Sequence, residues 1–166
     1  MNVFVLIISA YLLGSVPFGF VIARSRGVDL RKVGSGNIGA TNVFRMVGKK
    51  WGALCFILDF LKGFLAAGWF PFVLGVMEVA EAGLIGGAAA IVGHNFPVWL
   101  KFRGGKGIAT SAGVLAAVAP LALLLGLGVW AVTMKLSRMV SLASILAAVG
   151  VAAGGWLFYR ESLWTA

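Results

Sequence analysis

Residues 107–134 read GIATSAGVLAAVAPLALLLGLGVWAVTM, a run without charge that Lys135 and Arg138 close. As one helix it makes a single long, tilted membrane span. Pro120, with Gly113, Gly126 and Gly128 around it, offers instead two short or re-entrant pieces, because proline removes a backbone donor and crowds the preceding turn. The choice sets the side of the membrane for everything downstream, and charge decides it. Loop 24–50 carries Arg24, Arg26, Arg31, Lys32, Arg45, Lys49 and Lys50 against Asp29 alone, and cytoplasmic loops collect Lys and Arg. The N-terminus is then outside. Loop 76–81, with only Glu78 and Glu81, suits the outside, and Lys101, Arg103 and Lys106 return to the cytoplasm. A single crossing by 107–134 would strand Lys135 and Arg138 outside. A broken pair hinged near Pro120 brings them back inside and is the expected arrangement.

Four further segments, 2–23, 51–75, 82–100 and 139–158, are each long enough to cross about 30 Å of hydrocarbon. The expected fold is therefore all-α: a polytopic transmembrane helical bundle of about six segments, the broken or re-entrant pair at 107–134 included, in a single domain, 1–166. Composition agrees. The 166 residues are 61% hydrophobic and 11% charged, where a soluble domain has about 25% charged. The net charge of +9 does not point to nucleic acid, because the cations cluster in loops between apolar spans, as membrane orientation requires. The first segment has no basic leader region and no small-residue cleavage pattern, so it reads as a retained span. Ser15 and Pro17 bend it. Trp51, Trp69, Trp99 and Trp164 fall near span ends, where tryptophan anchors to the interface. Cys55 is the single cysteine, which excludes an internal disulfide. His94 is the single histidine and the carboxylates are scattered, so no protein-only metal site is expected.

Two glycine-rich stretches carry the chemistry. The first is Gly34-Ser35-Gly36-Asn37-Ile38-Gly39-Ala40-Thr41-Asn42, followed by Arg45. The second runs from Gly93-His94-Asn95-Phe96-Pro97 to Phe102-Arg103-Gly104-Gly105-Lys106-Gly107-Ile108-Ala109-Thr110. Glycine lets bare backbone N–H groups converge on an anion, and Lys, Arg, Ser, Thr and Asn add charge and donors. Neither stretch has the Gly-Lys-Ser/Thr ending of a Walker loop. Two plainer readings compete: a tight helix contact for the first, and a basic cytoplasmic turn for the second. His94 is either a base or phosphate ligand, its reference pKa near neutrality, or a structural histidine bonded to a carbonyl. Asp59 and Lys62, three apart on one face of the second span, are either a functional pair or a neutralising one, since isolated charges there are costly.

These residues resemble the bacterial acyl-phosphate-dependent glycerol-3-phosphate acyltransferases, integral membrane enzymes at the start of phospholipid synthesis. The resemblance runs over about residues 11 to 150. It lies in Gly14-Ser15-Val16-Pro17, the first glycine stretch with Arg45, Asp59 with Lys62-Gly63, the second stretch, and Arg138-Met139-Val140-Ser141-Leu142-Ala143-Ser144. It implies transfer of a fatty acyl group from acyl phosphate to the 1-hydroxyl of glycerol 3-phosphate, giving lysophosphatidic acid and phosphate. No cofactor or metal is implied. The expected catalytic residues are Ser35, Arg45, His94 and Lys106. The expected phosphate and substrate ligands are Gly36, Asn37, Gly39, Thr41, Asn42, Gly104, Gly105, Gly107, Thr110 and Ser141. The implied setting is the bacterial inner membrane, with the site on the cytoplasmic face and a soluble acyl-phosphate synthase as a possible docking partner. One feature departs from the pattern. Family members usually continue into a last span with a His/Asn motif that helps bind glycerol phosphate, and residues up to Ala166 carry no counterpart. A short member, a truncated sequence and a partly disabled enzyme are the readings this leaves. The rival functions are a transporter, which would place its polar groups at the midplane between paired broken helices, and a noncatalytic protein that binds a phosphorylated metabolite.

Overall fold

The computed structural model describes residues 3–75 and 82–164, with side chains as far as residue 160. The expected outside loop 76–81 and the side chain of Trp164 lie outside the described residues. All regular elements among them are helical. Five stretches are long and apolar enough to cross a membrane: Val3–Ser25, Lys49–Val73, Ala82–Leu100, Pro120–Ser137 and Val140–Arg160. A shorter apolar helix, Ile108–Val118, stands between the third and fourth. The expected break in 107–134 is therefore present. Helix α7 (Ile108–Val118) stops, Ala119 adopts φ −148°, and Pro120 opens α8 (Pro120–Ser137), a first-turn position where its missing N–H costs nothing.

The chain divides into two compact units, Met1–Ala117 and Val118–Ala166. In the first unit, the first span is split rather than merely bent. Helix α1 (Val3–Ser15) and α2 (Phe18–Ser25) are separated at Val16–Pro17. Beyond them lie α3 (Ala40–Met46) and the second span, α4 (Lys49–Phe64). That span continues through a π-helical turn, Leu65–Trp69, into α5 (Phe70–Val73). Pro71 explains the widened turn: its ring has no N–H and would collide with the carbonyl four residues back, so the hydrogen bonds relax from i−4 to i−5. Phe70 N–H accordingly donates to Leu65 O.

Helix α6 (Ala82–Asn95) runs parallel to α1. Leu6 meets Gly86, and Gly14 meets Ala90 and Gly93. The pairing depends on absent side chains, since a Cβ on Gly14 would fall on the Ala90 carbonyl and one on Gly93 on the Tyr11 carbonyl. Small residues let apolar helices approach closely where hydrophobic burial gives no preference over lipid. Gly113, expected to help break α7, packs instead against the Phe60 carbonyl of α4. Outward positions such as Phe4, Ile8, Phe56 and Ile57 are exposed, as lipid-facing residues of a membrane bundle are.

The second unit is an antiparallel hairpin of α8 and α9 (Val140–Trp164). Gly126 and Gly154 sit against Val151 and Ala122 across it. Gly126 thus serves packing, and the break falls at Ala119–Pro120. The turn is made by Arg138 at φ +56°, and Ser137 Oγ accepts from Met139 N–H at 3.1 Å.

Candidate active site

The first glycine stretch is built around a side chain, not around an anion. Asn42 is 3% exposed. Its amide nitrogen donates to the carbonyls of Leu30 (3.4 Å), Val33 (3.2 Å) and Asn37 (2.9 Å). Its oxygen accepts from Ser35 N–H at 3.2 Å. Asn37 Oδ1 takes Gly39 N–H at 2.8 Å, an Asx turn that delivers the chain into α3, whose first carbonyl bonds come from Asn42 and Val43 to Gly39. Gly36, at φ +70°, donates to Val33 O at 3.1 Å. The N–H groups of Ser35, Gly36 and Gly39 are therefore spent inside the loop, against the expectation that bare amides converge on a ligand. Left facing outward are the side chains of Ser35, Thr41 and Arg45, all exposed. Thr41 and Arg45 are four apart on α3 and so share one face.

Asp29 and Arg31 set the entry to this loop. Asp29 accepts from Arg31 N–H and meets its guanidinium twice, at 3.0 Å each. That hydrogen bonding lowers the Asp29 pKa to about 2. Arg31 also lies over Phe20 at 4.8 Å, and Arg26 over Trp51 at 4.5 Å, so both cations are held. Among the described residues no hydrogen bond or ion pair engages Arg45.

The second stretch is laced by backbone. Helix α6 ends at Asn95, and the carbonyls of His94 and Asn95 accept from Gly105 and Gly104 N–H at 3.1 Å each. Phe102 N–H returns to Pro97 O at 3.0 Å. Lys101 and Phe102 both hold positive φ, +52° and +61°, a strained pair that the surrounding bonds must enforce. Here too the Gly104 and Gly105 amides are occupied. What Gly105 supplies is closeness: a Cβ there would fall on the His94 imidazole. Lys106 is exposed and unengaged among the described residues. Thr110 is fully buried on α7, its hydroxyl without a hydrogen-bond partner among the described residues and its carbonyl against Gly63, so it faces packing, not solvent. The Asn95 side-chain oxygen is buried beside Gly107 and also lacks a partner among the described residues.

Beneath this second loop lies a buried charged chain. Asp59 and Lys62 are each 2% exposed, and Lys62 Nζ stands 2.7 Å from Asp59 Oδ1. Lys62 also donates to the Val16 carbonyl at 3.0 Å, at the break that Pro17 makes in the first span. His94, 6% exposed, points Nδ1 at Asp59 Oδ1 from 3.5 Å. The Cys55 thiol donates to Asp59 Oδ2 at 3.6 Å. His94 is thus enclosed, with Asp59 on one side and Gly105 on the other. Sequence spacing made the Asp59–Lys62 pair legible. It gave no sign that His94 or the Val16 carbonyl joins it, nor that Tyr11 OH donates to Phe96 O at 2.9 Å and ties the second loop to α1.

The two loops meet over one apolar cluster. Leu30, Ile38 and Val43 from the first pack with Ile22, Ala23 and Cys55, and Leu100 from the second joins them. Both loops, with Arg45 and Lys106, belong to the first unit. Ser141 belongs to the second, exposed in the first turn of α9.

A family model described as glycerol-3-phosphate acyltransferase matches residues 4–166. A glycerol-3-phosphate acyltransferase of Desulforamulus reducens is 49% identical over 148 residues, covering 88% of this chain and 72% of the relative. One from Aquifex aeolicus is 48% identical over 155 residues, covering 90% and 77%. A crystal structure of PlsY, an integral membrane glycerol 3-phosphate acyltransferase in its glycerol 3-phosphate form, superposes with a TM-score of 0.85 at 46% identity, covering 95% of this chain and 78% of that one. Its lysophosphatidic acid form gives 0.82 at 44% identity. With nearly its whole length matched and almost half its residues shared, this chain belongs to the glycerol-3-phosphate acyltransferase family.

Proposed function

We propose that this chain acylates glycerol 3-phosphate at its 1-hydroxyl, taking the acyl group from an acyl phosphate and releasing lysophosphatidic acid and inorganic phosphate. The observation that carries the reading is a pair of exposed, unengaged cations, Arg45 and Lys106. Arg45 stands on α3 just after the first loop and Lys106 on the second, and the Ser35, Gly36, Gly39, Gly104 and Gly105 amides of these loops are already bonded within the protein. Rigid loops that spend their amides internally and hold out cations suit two phosphorylated substrates, because the charge is preorganised and no protein group must rearrange to meet it.

An acyl phosphate is already activated, so positioning and charge neutralisation can supply most of the rate. The substrate hydroxyl attacks the acyl carbonyl. A C–O bond to glycerol forms, the C–O bond to phosphate breaks, and phosphate leaves carrying the electron pair. Arg45 and Lys106 offset the phosphate charge, and Ser35 and Thr41 donate to its oxygens. Asn37, Gly39 and Asn42 hold the first loop in shape; Gly104, Gly105 and Gly107 do so for the second. His94 is enclosed, so it acts in this reading as a positioning group. The proton then goes to a phosphate, whose second pKa of about 6 suits it to the task. Residues 1–166 act as one acyltransferase domain in the inner membrane. The N-terminus is outside and the loops are cytoplasmic, where a soluble acyl-phosphate synthase could deliver the donor. The basic loops support that sidedness.

The test is phosphate release by purified protein given palmitoyl phosphate and glycerol 3-phosphate, with acyl-CoA and acyl carrier protein donors as controls. Release that depends on glycerol 3-phosphate and yields lysophosphatidic acid is expected. Lysophosphatidic acid formed from acyl-CoA but not from palmitoyl phosphate, or no phosphate release from folded protein, would refute the reading.

A further inference from the structure

The mechanism leaves one buried charged group unused. Lys62 and Asp59 sit among apolar helices at a cost that a membrane protein rarely carries without purpose. Their contacts do not stop at each other. Lys62 Nζ reaches back to the Val16 carbonyl at 3.0 Å, and its charge lies 5.6 Å from the Phe18 ring. Asp59 holds the Cys55 thiol on one oxygen, and on the other it faces both Lys62 and His94 Nδ1. The far edge of His94 is the floor on which Gly105 rests, near enough that no Cβ fits between them. The His94 carbonyl takes the Gly105 N–H. Lys106 is the next residue.

We infer that Val16 O, Lys62, Asp59 and His94 form a positioning chain that holds the Gly104–Gly107 turn, and with it the Lys106 ammonium, against the break in the first span. Pro17 opens that break and leaves the Val16 carbonyl able to accept a side-chain donor. Lys62 fills it from α4. Asp59 neutralises Lys62 and orients the imidazole from α6, and the flat ring fits under a residue that must be glycine. Three separate helices thereby fix one loop cation. These residues touch no substrate; they act through Lys106. Only the kinetic consequence rests on the acyltransferase reading, because the loop's order can be measured without turnover.

The experiment is hydrogen exchange by mass spectrometry on the full chain in detergent, in the double variant Asp59→Asn/Lys62→Met, which removes both charges together, and in His94→Ala, which keeps the ion pair. Exchange over 102–107 should rise about ten-fold in each, while exchange over 140–160 stays as in the parent. kcat should fall about ten-fold with KM for glycerol 3-phosphate within about two-fold, as expected when a group that offsets charge in the reaction is displaced. Unchanged exchange over 102–107 in His94→Ala would overturn the inference. So would a rise spread over the whole chain, which would make the charges a general fold element. If the parent has no acyltransferase activity but loop exchange still responds locally, the proposed function fails and the positioning chain stands.

Discussion

The two glycine-rich loops look alike as sequence and are held in opposite ways. The first, Gly34–Asn42, is tied by a side chain: Asn42 reaches three carbonyls and one N–H from the centre of the loop. The second is tied by backbone bonds between 94–97 and 102–105 and stands on a buried ionic chain. The Ser35, Gly36 and Gly39 amides of the first and the Gly104 and Gly105 amides of the second are taken by protein. The lesson is that polar residues in a site motif divide into those that hold the loop and those that the loop holds out. Only the second kind, here Ser35, Thr41, Arg45 and Lys106, is left exposed.

Removing an outward cation should have the largest effect. Lys106→Ala should lower turnover about 100-fold or more, with the thermal midpoint unchanged. Near-normal phosphate release would erase the distinction between holding and held residues. Asn42→Ala should hit both quantities. It takes the Asn42 partner from the Leu30 and Asn37 carbonyls and the Ser35 N–H, for a loss of about 2–4 kcal/mol, and turnover should fall with stability; Thr41→Val should lower turnover alone. Unfolding curves beside rates for the two variants separate the cases.

Gly105→Ala comes next. Its Cβ overlaps the His94 ring, and overpacking of this kind costs about 1–3 kcal/mol. Adding His94→Ala should restore part of the loss in stability, and strict additivity of the two changes would show that they do not couple. The corresponding change in the first loop, Gly36→Ala, meets nothing nearer than the Arg31 carbonyl at 3.6 Å. It should cost only the left-handed backbone, about 1 kcal/mol.

The smallest effect belongs to the Asp29–Arg31 pair at the loop entry. Asp29 has its pKa lowered to about 2, mainly by its hydrogen bond to Arg31. Its stabilisation is therefore complete above the ordinary value of 3.8 and is lost as pH falls toward about 2. Asp29→Asn should shift the midpoint slightly at pH 7, and the gap to the parent should narrow below pH 3.8 and close as pH falls through about 2. A gap that persists there would mean that the carboxylate's charge is not its source.

Much of the architecture was legible because bilayer thickness and hydropathy leave few choices. A run such as 82–100 must cross, and the basic residues closing 107–134 required a break that Pro120 could supply. The split in the first span was signalled by Ser15 and Pro17, but only as a bend. The π-helical turn before Pro71 was not foreseen, since sequence shows that a proline must be accommodated and not by which register. Gly113 and Gly126 were misassigned for a related reason. A glycine that relaxes a helix and one that admits a neighbouring carbonyl are identical in sequence, and only the partner helix distinguishes them.

The site follows the same division. Residue types and their local spacing were enough to mark two loops of glycine, amide and cation, to pair Asp59 with Lys62 three residues on, and to indicate acyl transfer through family resemblance. Tertiary structure alone decided that Asn42 turns inward, that Gly104 and Gly105 spend their N–H groups on His94 and Asn95, and that His94 joins Asp59. The physical reason is distance along the chain. Hydropathy and i, i+3 spacing are local and can be read directly. Whether a polar atom is occupied or available depends on groups from 5 residues away, as between Asn42 and Asn37, to 46, as between Val16 and Lys62, and folding alone brings those together.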